Sequence, residues 1–163
     1  MELLVSGGVI PVDKPTGPTS HDVVAVARRN LGTPRVGHTG TLDPLATGLL
    51  LLCVGPATRL VQFLTGLPKE YVARVRLGMR TTTDDSDGDV EATSEGWREI
   101  DQGTVQAALG DLRGRSWQTP PRFSAKKIDG EAAHYRARRG ETVALAPVEV
   151  DVLDLYMYRG RQL

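Results

Sequence analysis

Val36-Gly-His-Thr-Gly-Thr-Leu-Asp-Pro-Leu-Ala-Thr-Gly-Leu-Leu50 holds one imidazole, one carboxylate and three glycines in a stretch too irregular for a helix and too polar for a strand. Asp43 precedes Pro44, whose ring removes a backbone donor and steers the aspartate out of the helical region into an extended conformation. Gly37, Gly40 and Gly48 let the backbone take positive φ or approach a ligand closely, and His38 stands five residues before the carboxylate. After Gly48 the sequence turns apolar, as Leu49-Leu-Leu-Leu-Cys-Val54, so the polar loop is mounted on a buried strand. Two readings are open at this point. The stretch is a catalytic loop, or it is an ordinary turn, because Gly, Asp, Pro and Thr are the usual residues of turns.

Outward from this loop, short strands and helices alternate without internal repeats. Val9 to Val12 reads as a strand running into the turn Asp13-Lys-Pro-Thr-Gly17, after which Thr19 or Ser20 caps a helix. That helix carries Val23, Val24, Ala27 and Leu31 at helical spacing and stops at Gly32. A helix from Ala57 to about Leu64 follows the apolar strand. Tyr71, Ala73, Val75 and Leu77 then alternate with Val72, Arg74 and Arg76, the pattern of a half-buried strand. A polar loop is expected from Gly78 to about Gly88, a helix near Thr104 to Leu112, a strand near Ser116 and a helix from about Gly130 to Arg139. Val148 to Tyr158 is strand-like, with a phase change after Val152 that predicts a bulge or a change of covering layer. The expected class is α+β, a mixed, largely antiparallel sheet flanked by helices.

A chain of 163 residues suits one domain with a real core. Lys plus Arg equals Asp plus Glu at 20 each, so there is no global basic signature. The charge is instead segregated. Asp84 to Asp101 carries eight acids against Arg98, and Arg113 to Arg139 carries eight bases against Asp129 and Glu131. A charge run is commonly a solvated face, but an Arg-rich block can also grip phosphates. The single cysteine, Cys53, lies in the apolar run and reads as a buried thiol. No basic-then-apolar leader opens the sequence, and its longest apolar run is far short of a membrane span, which gives the expectation of a cytoplasmic protein.

Gly37-His-Thr-Gly-Thr-Leu-Asp-Pro-Leu-Ala-Thr-Gly48 resembles the active-site motif of the TruB-type tRNA pseudouridine-55 synthases. The Leu45-Ala-Thr-Gly48 continuation favours the stand-alone bacterial type over its guide-RNA-dependent relatives. Asp13-Lys-Pro-Thr-Gly-Pro-Thr-Ser20 resembles that family's N-terminal motif, which implies a scaffold role for Lys14 and Pro15 beside Gly40, Pro44 and Gly48. Lys69-Glu-Tyr71 resembles its Lys-x-Tyr strand, whose tyrosine stacks on the target base. Thr81-Thr-Thr-Asp-Asp-Ser-Asp-Gly88 resembles its Thr-x-Thr-x-Asp-x-x-Gly loop, and the resemblance places Asp85 toward RNA. A calcium loop is disfavoured there: with Gly88 as sixth position, the twelfth is Ser94 where a bidentate Glu is required. Pro120-Pro-Arg-Phe-Ser-Ala-Lys-Lys-Ile-Asp-Gly130 resembles the Ser-Ala-x-Lys block and makes Lys127 an RNA contact. His134 stands where the family commonly has Tyr, with Tyr135 one place on, so no role is carried onto either.

The resemblance implies an RNA-modifying isomerase that flips uridine 55 out of the T-loop and rejoins its base through carbon. Such a reaction needs no redox step, phosphate transfer or external group, so neither cofactor nor metal is expected. Glycoside cleavage normally employs two carboxylates. Uracil leaves as a delocalised anion, so one carboxylate suffices, and Asp43 is the implied catalyst. His38 is the implied side chain that fills the vacated stack, and Tyr71 the one that stacks on the extruded base. The implied partner is the tRNA T-arm stem-loop, the enzyme being a monomer with no membrane contact. The family's catalytic domain continues into a Gly-Thr-Tyr-Ile-Arg-type segment whose arginine pairs with the catalytic aspartate. The sequence ends at Leu163, before any such segment, so residues 1–163 are expected to be the N-terminal portion of the catalytic domain, with no second domain and weak activity by themselves. Two other classes stay open: a non-catalytic RNA-binding or RNA-folding module, and a hydrolase pairing Asp43 with His38, which is disfavoured because no Ser or Cys nucleophile motif and no metal spacing accompanies them.

Overall fold

The structure, a computed structural model, describes residues 7–120, 127–128, 131–132, 139 and 145–157. The chain divides into two units, Met1–Ala73 and Arg74–Leu163. In the first, β1 (Gly8–Lys14) leads to α1 (Ser20–Leu31), β2 (Val36–His38) and β3 (Gly48–Val54), followed by a 3-10 turn (Gly55–Leu60) and α2 (Val61–Leu64). The three strands form an antiparallel sheet in the order β1-β3-β2. The apolar run is the central strand because it alone is flanked on both edges. Leu50, Leu52 and Val54 fall on one face at the strand's period of two and pack with Val24 of α1 and Val36 of β2. Burying each such side chain contributes about 1.5–3 kcal/mol.

The register places Lys14 opposite Gly48 and His38 opposite Leu52, so the ends of β1 and β2 frame the loop 39–47. α1 begins where the sequence signals that it should. Thr19 is the N-cap, its hydroxyl accepting from the Asp22 amide at 3.1 Å while the Asp22 carboxylate accepts from the Thr19 amide at 2.8 Å. The Thr19 hydroxyl, which also donates to that carboxylate at 2.7 Å, and then the Thr19 amide hold the Asp22 carboxyl below the usual carboxylate range. Gly32 ends the helix at φ 62°.

In the second unit β4 (Met79–Thr81) and β5 (Val90–Thr93) form a hairpin, and a 3-10 turn (Gly96–Glu99) precedes α3 (Gln102–Asp111). β6 (Gly114–Gln118) pairs antiparallel with β9 (Val148–Val152), and β7 (Lys127–Ile128) with β8 (Glu131–Ala132). Among the described residues of this unit none is buried. Asp101 caps α3 by accepting from the Thr104 amide at 2.7 Å, which lowers its carboxyl below the usual range. The α+β class and antiparallel pairing are observed. No described helix is long and apolar enough to cross a membrane.

Several expected boundaries differ. Residues 36–38 are not loop but the strand β2, because Val36 is apolar enough to enter the core and the ladder continues through Gly37. The helix expected from Ala57 opens earlier as a 3-10 turn with Pro56 at its start. Tyr71 to Leu77 is not a strand: Val72 is 90% and Val75 76% exposed, and no described strand pairs with them. Alternation creates the capacity for a half-buried strand, but no strand among the described residues pairs with this stretch and its side chains stay exposed, so the pattern buries nothing. The polar stretch from Gly78 contains β4, one arm of a hairpin. The helix expected from Gly130 meets β8 at Glu131–Ala132, and 133–138 lie outside the described residues. β9 stops at Val152, where the apolar phase changes.

Candidate active site

The loop 39–47 is tied down from beneath by the segment 14–20. Lys14 closes β1 with its side chain fully buried, and its ammonium donates to the carbonyls of Pro15 (2.9 Å) and Ala46 (2.7 Å) and, more weakly, Pro44 (3.4 Å). The Thr16 hydroxyl donates to the Leu45 carbonyl at 3.3 Å, and the Gly17 amide to that of Pro44 at 2.8 Å. Ser20, buried at the start of α1, is a two-way clasp: its hydroxyl donates to the Leu42 carbonyl at 3.1 Å and accepts from the Leu42 amide at 2.9 Å. The Ala46 amide donates to the Asp43 carbonyl at 3.0 Å and closes the Asp43-Pro44 turn. Every backbone carbonyl from Leu42 to Ala46 therefore has a donor.

The Asp43 side chain has the opposite character. It is exposed, and among the described residues no hydrogen bond or ion pair engages its carboxylate. A fixed backbone beneath a free carboxylate is the arrangement expected of a group held ready for a ligand. Gly48 follows at φ 120°, a conformation open to glycine and strained for other residues, which lets the loop re-enter β3 opposite Lys14.

His38 is half-buried at the end of β2, and its Nδ1 lies 2.7 Å from the Gly40 carbonyl oxygen. A carbonyl only accepts, so Nδ1 carries the proton in this contact. The His38 ring meets that of His21 with centroids 5.6 Å apart. Over Gly40 runs the stem of Lys69: a Cβ on that glycine would sit 3.5 Å from Lys69 Cε. The Lys69 ammonium donates to the carbonyls of Thr65 (2.6 Å) and Leu67 (3.1 Å), closing the end of α2.

The structure thus brings Lys14, Pro15, His38, Gly40, Asp43, Pro44 and Gly48 into one cluster. Tyr71 stands two residues beyond Lys69, 68% exposed, and no described hydrogen bond or ring contact joins it to Asp43 or His38. Asp85 belongs to the second unit, where its carboxylate accepts from the Thr83 hydroxyl (2.6 Å) and the Asp87 amide (2.9 Å). It shapes its own turn, next to Asp84 at φ 61°. The Lys127 backbone lies in β7, and its side chain is outside the described residues. Among the described residues no group of three or more His, Cys, Asp or Glu is placed to hold a metal ion. Sequence reasoning missed the Ser20 clasp, the Thr16 contact and His21. The signal available for Ser20 was its place beside the cap, and for His21 only its adjacency to Ser20.

Residues 28–162 match the model of the TruB family pseudouridylate synthase, N-terminal domain. The chain belongs to this family. It is 51% identical over 148 residues to the tRNA pseudouridine synthase B of Thermobifida fusca (strain YX), covering 91% of this chain and 50% of that protein. It is 46% identical to that of Arthrobacter sp. (strain FB24) and 43% identical to that of Geobacillus kaustophilus (strain HTA426), again over most of this chain. The chain spans about half the length of these TruB-family relatives. A solved structure described as a Cbf5-Nop10-Gar1 complex resembles it with a TM-score of 0.50 and 30% identity, over 77% of this chain and 32% of that one.

Proposed function

We propose that this chain carries the catalytic aspartate of a tRNA pseudouridine synthase acting on uridine 55 of the T-loop. The observation that carries the reading is the Asp43 loop, in which five consecutive carbonyls are bonded while the exposed carboxylate has no hydrogen-bond or ion-pair partner among the described residues. The relatives named tRNA pseudouridine synthase B support the choice of substrate. In the reaction the N1 to C1′ bond breaks, uracil turns over, C1′ bonds to C5, the C5 proton leaves and N1 takes up a proton. The product is an isomer, and no group enters from outside. Asp43 acts on the sugar, by attacking C1′ or by taking the C2′ proton, and both routes need a carboxylate that can reach the ribose.

The target base is stacked within a folded loop, so it must be flipped out at a cost of a few kcal/mol. His38, on a strand end with a fixed ring nitrogen, fills the vacated stack. Tyr71 stacks on the uracil, Lys127 contacts the RNA, and Asp85 contributes by shaping the 81–89 loop. The enzyme works in the cytoplasm as a monomer. The test is conversion of a T-arm stem-loop by the full-length protein, read as pseudouridine by mass spectrometry of the digested RNA. Turnover that Asp43→Asn abolishes while RNA binding persists supports the reading. RNA binding without conversion by the wild type points instead to a non-catalytic RNA-binding module.

A further inference from the structure

His21 is the residue after Ser20 at the start of α1, and its exposed imidazole meets the His38 ring edge to face at an interplanar angle of 77°. The backbone that delivers the two rings is fixed on both sides. Ser20 clasps Leu42, and the Arg28 guanidinium donates to the Val36 carbonyl at 2.9 Å, tying α1 to the strand that carries His38. Beyond its own Cβ, the His38 ring is held by a single hydrogen bond, from Nδ1 to the Gly40 carbonyl. When that bond opens, the ring is free to rotate about its χ1 and χ2 bonds. A second ring packed against it at a steep angle narrows that rotation.

We propose that His21 is a positioning residue, ordering the His38 ring before RNA arrives. The proposal rests on the reading of His38 as the side chain that fills the stack left by the flipped uridine. A ring ordered in advance loses little freedom on binding, and the ordering of one side chain is worth about two- to tenfold in affinity. The effect falls on binding and not on the chemical step. The Asp43 loop is held by Lys14, Thr16, Gly17 and Ser20, and none of those bonds passes through the His21 side chain.

The experiment compares His21→Ala and His21→Phe with wild type in the full-length protein. T-arm stem-loop binding and single-turnover rates are measured, together with the His38 ring-nitrogen signals in RNA-free protein by ¹⁵N NMR. The expected result is a Kd about two- to tenfold higher for His21→Ala, with its rate at saturating RNA within about twofold of wild type. His21→Phe, which keeps a ring against His38, restores the affinity. The His38 nitrogens show a protonated Nδ1 in wild type and averaged signals in His21→Ala. Should the alanine variant not fold, His21→Gln set against His21→Phe makes the same comparison. Equal affinity of wild type and the ringless variant overturns the proposal, as does a phenylalanine variant no tighter than it. A wild type that neither binds nor isomerises the RNA overturns the proposed function instead, and the nitrogen signals then still decide whether the two rings are coupled.

Discussion

Replacing Lys14 by methionine removes the ammonium that joins β1 to the Asp43 loop while nearly preserving side-chain volume. Three carbonyls lose a donor, but Pro44 keeps the Gly17 amide at 2.8 Å, so the orphans are Pro15 and Ala46, bonded in the wild type at 2.9 and 2.7 Å. Pro15 is exposed, so water can take over its carbonyl, and the cost falls on the half-buried Ala46, where an unsatisfied acceptor costs about 1–3 kcal/mol. Removing a charge that is fully shielded from water offsets part of this, since burying an ammonium is itself unfavourable. The net expectation is a loss of about 1–2 kcal/mol. With a urea slope of about 2 kcal/mol per molar, the unfolding midpoint falls by about 0.5–1 M. Far-UV circular dichroism through a urea titration reads that shift, and a single-turnover assay on the folded variant reads the looser Asp43 as a rate at least about tenfold lower. A midpoint within about 0.2 M of wild type, with an unchanged rate, would refute the idea that the buried ammonium holds the loop.

Ser20→Ala leaves both the Leu42 amide and carbonyl without their shared partner, so a loss of about 1–3 kcal/mol is expected in the same urea titration. The Asp22 carboxyl is held low by its bonds to Thr19, so its stabilising effect is present above the unfolded carboxylate range and lost as pH falls through the folded value. Urea midpoints of wild type and Asp22→Asn should therefore differ at pH 7 and draw together as the pH falls below the unfolded carboxylate range. Cys53 has no exposed surface, and burial pushes its thiol up. Labelling by a thiol reagent at neutral pH should be at least about a hundredfold slower in native than in urea-unfolded protein, and equal rates would place Cys53 outside the core.

The parts of the fold that could be read in advance are those with local causes. β3 announces itself as an unbroken apolar run, and α1 by a threonine or serine cap, apolar residues at helical spacing and a terminal glycine. The hairpin β4–β5 was hidden because all but one of its strand residues are exposed, which leaves no alternation to detect. Residues 71–77 show the converse, a clear alternation with no partner strand among the described residues. At the site, the Asp-Pro turn and its glycines were legible, but what holds them was not. The Lys14 and Ser20 contacts bridge 32 and 22 residues, a separation that no local pattern encodes. A lysine in a turn motif reads as a surface residue, and only the register of β1 on β3 reveals that it points under the loop.

Isomerisation by the Asp43 carboxylate is the step on which the proposed function depends. Its most direct test is the pseudouridine content of a T-arm stem-loop after incubation with full-length wild type and with Asp43→Asn, alongside the RNA affinity of each. Conversion by the wild type is expected, with at least about a thousandfold slower conversion by the asparagine variant and affinities within about threefold of each other. Conversion by Asp43→Asn at a rate close to wild type would contradict that role for Asp43.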